Sequence, residues 1–283
     1  MAPQSPITVQ QRRVANELRR LREAAGLTIE QVAKELDCSR SKISRIETHQ
    51  VGATPRDVRD MLTLYRVGAK RQRELMDLAR EARQTRRTGW WQEYSDLPRD
   101  YAAFEADAAS IRLYSASLVP GLLQTRDYAQ AVLGVIGARR PKEEIDHRLA
   151  FRMARQRVFR ERSPQLTAII DEAALRRLVG GRRVMREQID WLITASKLAN
   201  VTLRALPFDV GAHVAMDGAF NILKFADSGY PSIVYLESAT SESYIDDDDT
   251  IRQYDQLFDQ LWDTSLADDE ATAAFLTKVA KEI

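Results

Sequence analysis

Apolar residues fall at helical spacing from early in the chain. Val14, Leu18, Leu21 and Ala25 mark one face of a helix over Gln10–Ala25. Gly26 follows, suited to the left-handed conformation that ends a helix. Thr28-Ile29-Glu30-Gln31 reads as a capping box opening a short helix with Val32, Ala33 and Leu36 inward. Asp37-Cys38 makes a tight turn, and Ser39 is a natural N-cap for a third helix, Arg40–Glu47, burying Ile43 and Ile46. Thr54-Pro55 caps a fourth helix with Val58, Met61, Leu62 and Tyr65 on its apolar face. A fifth, about Lys70–Arg87, carries Leu75, Leu78, Ala79 and Ala82.

The pattern breaks over Gln84–Trp91, so a domain boundary is expected there. Beyond it, Tyr101–Tyr114, Thr125–Gly134, Lys142–Glu161, Arg183–Leu198, Ile251–Trp262 and Asp269–Lys281 read as helices. Leu166–Ile170, Val201–Leu206, Phe220–Phe225 and Ser232–Leu236 read as strands, being β-branched or alternating between Gly, Pro or Asp breaks. The fold class predicted is multi-domain. An all-α, five-helix helix-turn-helix domain over 1–88 (core 28–47) precedes an α+β domain over 89–283, with a small sheet and several helices. The second domain is expected to regulate, bind a partner and dimerise.

Composition narrows the classes. At 283 residues the chain suits about two domains of roughly 100–200 residues. It is 44% hydrophobic, which excludes wholesale disorder. No run approaches the roughly 18 apolar residues of a membrane span. Met1–Arg13 lacks the apolar core of a secretory signal, so a cytoplasmic, nucleoid-associated protein is expected. One cysteine, Cys38, excludes an internal disulfide, and three histidines leave little for a zinc site. No metal and no cofactor is expected.

Charge is uneven. Residues 1–90 hold 19 Lys and Arg against 11 Asp and Glu, a net of +8. The remaining 23 basic and 30 acidic residues give −7. A basic head on an acidic body points to a polyanion met at the N-terminal end.

The second and third helices carry the chemistry. Two short capped helices joined by a tight turn, the second rich in small and basic residues, describe a helix-turn-helix. In that geometry the first of the two crosses the DNA backbone and its N-terminal amides can meet a phosphate. The second enters the major groove. With Ile43 and Ile46 inward, Arg40, Ser41, Lys42, Ser44 and Arg45 face outward. An arginine fork matches guanine O6 and N7.

The run Leu21-Arg22-Glu23-Ala24-Ala25-Gly26-Leu27-Thr28-Ile29-Glu30-Gln31-Val32-Ala33, with Ser39-Arg40-Ser41-Lys42-Ile43-Ser44-Arg45-Ile46-Glu47, resembles the Cro/repressor (XRE) helix-turn-helix family over residues 10–68. The resemblance implies base contacts by Arg40, Ser41 and Arg45, with Lys42 and Ser44 close by. It gives Thr28, Lys34 and Arg56 phosphate-contacting roles. It matches Arg22 and Glu47 to a buried ion pair tying the first helix to the third. One departure stands out: the family usually has Gly after the Glu-x step, and this chain has Thr48-His49. His49 is expected to be an exposed loop residue.

The rest of the chain has a resemblance of its own. Val119-Pro120-Gly121-Leu122-Leu123-Gln124-Thr125, Asp171-Glu172-Ala173-Ala174-Leu175, Val179-Gly180-Gly181, Leu206-Pro207-Phe208 and Val234-Tyr235-Leu236-Glu237 are similar to the C-terminal domain of WhiJ-like, antitoxin-like actinobacterial regulators, over about 90–275. In that family the gene commonly lies beside one for a small partner protein. The resemblance therefore implies a small protein partner encoded nearby, and an antitoxin-like or developmental repressor role.

Other features read plainly. Asp171-Glu172 caps a helix, and Gly180-Gly181 ends one. Asp246–Asp249 lacks the ligand spacing of a calcium loop and reads as a solvated acidic loop. Val119, Leu122 and Leu123 either form a partner or ligand surface or line a core turn. No hydrolase motif appears, so the chain is not expected to be an enzyme.

The expectation is a sequence-specific, double-stranded-DNA-binding repressor. A single helix-turn-helix buries little surface, so a homodimer on an inverted repeat is expected, with half-sites about 34–36 Å apart. A small-molecule-sensing transcription factor is the alternative, and an enzyme domain fused to a DNA-targeting head a further one.

Overall fold

A computed structural model of the chain describes residues 8–94, 97, 99–138, 140–226 and 231–283, and the side chains among these apart from 86–88. The start of the chain read for a signal, 1–7, lies outside them. The chain divides into two compact units, the first ending at Asp107 and the second beginning at Ala108.

The first unit is helical: α1 (Val9–Ala24), α2 (Ile29–Glu35), α3 (Arg40–Glu47), α4 (Pro55–Leu64), α5 (Ala69–Thr88) and α6 (Arg99–Asp107). Its core gathers the apolar faces predicted from spacing. Val14 and Leu18 of α1, Val32, Ile43 and Ile46, Val58, Met61 and Leu62, and Leu75 and Ala79 of α5 are all buried together. The expected boundary at 84–91 brackets the end of α5, whereas the first unit runs on to Asp107. Helix α6 stays with the head: Gln10 donates to Asp107 at 3.3 Å, and the Arg12 guanidinium lies 5.3 Å from the Phe104 ring centre.

Capping sets the head's geometry. Thr8, Thr28 and Thr54 each close a box with the residue three positions on, opening α1, α2 and α4. Ser39 caps α3. Gly26 takes φ +68° after α1, as its position requires.

The second unit is built on a mixed six-stranded sheet: β1 (Ser110–Ser115), β2 (Gln165–Asp171), β3 (Val201–Leu206), β4 (Phe220–Lys224), β5 (Ile233–Glu237) and β6 (Glu242–Ile245), in order β3-β2-β1-β4-β5-β6. The β3-β2-β1 half is parallel and the other half antiparallel. Parallel neighbours need crossovers. They are supplied by α7 (Arg126–Ile136) with α8 (Lys142–Arg162), and by α9 (Glu172–Arg176) with α10 (Gly181–Ala195). Then α11 (Asp248–Thr264) covers one face, where Phe258 and Leu261 meet Tyr114, Ile169, Phe220, Ile222 and Val234. The last helix, α12 (Asp269–Glu282), packs on α10 and β3.

Three sequence readings change here. Tyr101–Tyr114 is not one helix; α6 ends at Asp107 and β1 begins at Ser110. Strand β1 is central, with Ile111, Leu113 and Tyr114 buried, so its apolar residues do not alternate cleanly with polar ones. Gly180-Gly181 opens a helix rather than ending one: Gly180, at φ +70°, is the N-cap of α10. The four-Asp run is not a loop throughout, because Asp247 caps α11 and Asp248 and Asp249 fill its first turn. Asp171 does cap α9, accepting the Ala173 N–H at 2.8 Å.

Candidate nucleic-acid interface

Helix α3 is held by what it buries. Ile43 and Ile46 are 1% exposed, which fixes the rotation of the helix and leaves Arg40, Ser41 and Lys42 in water. Ser44 and Arg45 are half-buried, nearer the seam with the rest of the head. The structure thus brings the predicted base-contacting residues onto one helix, graded in exposure from its N-terminal end.

A buried ion pair clamps α3 to α1. Arg22 donates from Nε to Glu47 Oε1 at 2.8 Å and from Nη2 to Oε2 at 2.9 Å, a two-pronged contact. A third guanidinium nitrogen, Nη1, donates to the Leu27 carbonyl at 2.8 Å, just ahead of α2. One arginine therefore sets α3 and the start of α2 against α1. Hydrogen bonding to Glu47 raises the Arg22 pKa above its ordinary value.

Two outward cations have acidic neighbours. Arg40 Nε lies 2.5 Å from Glu30 of α2, both well exposed. Lys42 Nζ lies 2.5 Å from Asp57, which is also the box residue of α4. Burial raises the Asp57 carboxyl, but hydrogen bonds from Lys42 and Thr54 outweigh it and hold the group below the usual carboxylate range. Glu30 is likewise held low, first by its own backbone N–H and then by Arg40 and Thr28. Sequence spacing named the cations but not these acids, because each partner sits on a different helix.

The predicted phosphate contacts are placed in the open. Thr28, Lys34 and Arg56 are exposed on α2's N-cap, α2 and α4. Arg56 has Asp60 3.7 Å away.

His49 departs from expectation. It is not an exposed loop residue: it is half-buried, and its Nε2 lies 2.7 Å from Asn16 Oδ1 of α1. It also takes φ +60°, the conformation glycine fills most readily. The Gln50 N–H reaches the Arg45 carbonyl at 2.8 Å and the His49 N–H the Ile46 carbonyl at 3.2 Å, a Schellman ending for α3. The helix therefore ends as a glycine would end it, with the Asn16 contact offsetting part of the strain.

Val119, Leu122 and Leu123 are not a surface. They are 1%, 6% and 2% exposed, so the surface reading of this segment gives way to the core-turn reading.

A family model described as a helix-turn-helix domain matches residues 13–75. A second, described as a domain of unknown function (DUF5753), matches residues 98–278. No curated protein and no solved structure matches the chain. Among the described residues no helix is long and apolar enough to cross a membrane.

Proposed function

Because the chain belongs to the DUF5753 family and its helix-turn-helix head makes it a DNA-binding regulator, we propose that it acts as a homodimeric repressor on an inverted-repeat operator. The observation that carries the reading is helix α3 itself. Its apolar side is sunk in the core and its basic N-terminal end stands in water. A helix so presented enters the major groove end first and offers Arg40, Ser41 and Lys42 to base edges. Thr28, Lys34 and Arg56 flank it as phosphate contacts.

Dimerisation is inferred from the small surface that one such head buries on DNA. The second domain is assigned to dimerisation and to a small protein partner, on its resemblance to antitoxin-like regulators. The chain is proposed to act by binding rather than catalysis.

The test is binding-site selection with the full-length chain on random duplexes, followed by Arg40→Ala. The expected result is a two-fold symmetric consensus whose preference relaxes at one position per half-site. The predicted cost there is about 1–3 kcal/mol. An Arg40→Ala protein with an unchanged consensus would falsify the assignment of α3 as the reading helix.

A further inference from the structure

Among the described residues seven large apolar side chains stand exposed, and five of them fall in two short segments of the second unit. Scattered singly, such residues mean little; gathered, they mark a surface that meets something. Val135 and Ile136, 79% and 70% exposed, close α7 where it turns into α8. Phe208, Val214 and Met216 lie in the strap 207–219 that joins β3 to β4.

Both segments belong to one end of the sheet. Strand β3 is parallel to β2 and β1, and β4 opens with Phe220 opposite Tyr114, so the strap runs along the carboxyl ends of the parallel strands. Helix α8 passes that edge at Gln156, which donates to the Gly121 and Gln124 carbonyls, each at 2.8 Å, and then leads to the amino end of β2. From Gln156 back to Lys142, about 20 Å of helix runs outward. It is paired there with α7 through Ala129, Leu133 and Leu149. The α7–α8 turn is thus the tip of an arm standing off the edge that carries the strap.

The strap is tied down from below. The Phe208 N–H donates to buried Glu172 Oε2 at 2.7 Å. His213 Nε2 lies 3.4 Å from the Tyr114 hydroxyl, which donates to Asp171 Oδ2 at 3.2 Å. Beyond Ala212 the side chains alternate: His213 and Ala215 turn inward, Val214 and Met216 stand in water. A backbone so anchored, with apolar side chains outward, is preorganised, and docking on it costs little further ordering.

The charges of tip and strap are opposite. Residues 128–142 hold three Lys or Arg and no acid, and Arg140 and Lys142 are exposed. The acids begin only at Glu143, with Glu144 pairing with Arg140. Residues 205–223 hold two acids, Asp209 and Asp217, both exposed, and no Lys or Arg. Tip on tip or strap on strap would bring like charges together, and tip on strap would not. We propose that two copies of this chain dimerise reciprocally, the arm tip of each docking on the 207–219 strap of the other. One two-fold axis makes both contacts at once and leaves neither patch open. The inference rests on the homodimer reading given above and names its interface.

The experiment is sedimentation equilibrium of the full-length, nucleic-acid-free protein, with circular dichroism to show that each variant is folded. The parent is expected to be a dimer. Ile136→Ser and Met216→Ser, at sites already in water, should each leave the fold intact and weaken the dimer by about 10-fold or more. Leu198→Ser, exposed outside both segments, should behave as the parent does. A tip variant, Arg140→Glu with Lys142→Glu, and a strap variant, Asp209→Lys with Asp217→Lys, should each be monomeric alone. Mixed, they should form a heterodimer, because every contact then joins opposite charges. A dimeric parent that Ile136→Ser and Met216→Ser leave unchanged overturns the interface and spares the homodimer reading. Charge variants that dissociate alone and are not restored by mixing overturn the pairing of tip with strap. A monomeric parent overturns this inference and the homodimer reading together, and leaves the two patches to a different protein.

Discussion

Arg22 and Glu47 show how a single pair can set an interface without touching the ligand. Their side chains are 10% and 3% exposed, so both charges have given up most of their water. Breaking such a pair leaves the survivor buried and uncompensated, whereas replacing both members with apolar groups can be neutral. Glu47→Gln should therefore lower the head's stability by about 3 kcal/mol or more. The double replacement Arg22→Met with Glu47→Leu should recover most of that loss. Urea denaturation of the parent, Arg22→Met, Glu47→Leu and the double variant closes the cycle. A double variant whose cost equals the sum of the two single costs would show that the pair does not act as a unit. His49 works at the same scale. A residue with a side chain occupies a position suited to glycine, and the Asn16 contact is what distinguishes it from a merely strained one.

At the scale of elements, acids on α2 and α4 govern what α3 can offer. On the proposed docking, a DNA phosphate or base edge would compete with Glu30 for Arg40. Glu30→Gln should therefore tighten binding to all duplexes by about 2–10-fold, measured by fluorescence anisotropy. Unchanged affinity would mean that Arg40 keeps its hold on Glu30 when bound. Asp57 makes a pH prediction. Its folded pKa is depressed below the ordinary aspartate value, so the unfolded chain takes up the proton first as pH falls. The stability it adds is full above about pH 5 and is lost as pH falls through the folded value. Denaturation of parent and Asp57→Asn proteins across that range should show a gap that closes in acid; a constant gap would exclude the linkage. The elements themselves were legible where local chemistry decides them. The capping boxes at Thr28 and Thr54, and the apolar spacing of α1 to α5, are written within a few residues. Strand β1 was not, because its identity depends on both faces being covered. Arg112 reads as a helix-surface charge until Asp255 and Asp259 of α11 are found beside it, with its guanidinium 4.1 Å from the Phe258 ring centre. Strand β6 is short and carries its one partner, β5, on a single edge, so Glu242–Ile245 shows no burial pattern to read.

For the whole molecule, charge is the property that spans the chain. The +8 of residues 1–90 and the −7 of the remainder mean that affinity for a polyanion has to come from the head, against a body of the opposite sign. Each phosphate neutralised on B-DNA contributes about 0.9 to the slope of log affinity against log salt. Lys34 is exposed on α2, so its ammonium can reach a phosphate at the cost of water alone. Arg56, with Asp60 close by, has a carboxylate to leave first. Lys34→Ala should thus reduce the slope by about 0.9, and should weaken an operator duplex and a scrambled duplex by the same factor. Arg56→Ala should change the slope by less. The contrast with Arg40 is the decisive part. A phosphate contact shifts both duplexes together, whereas a base contact changes their ratio. Anisotropy titrations of the full-length protein between about 50 and 200 mM salt separate the two. If Lys34→Ala changes the ratio and leaves the slope alone, α2 and not α3 lies in the groove, and the head docks the other way round.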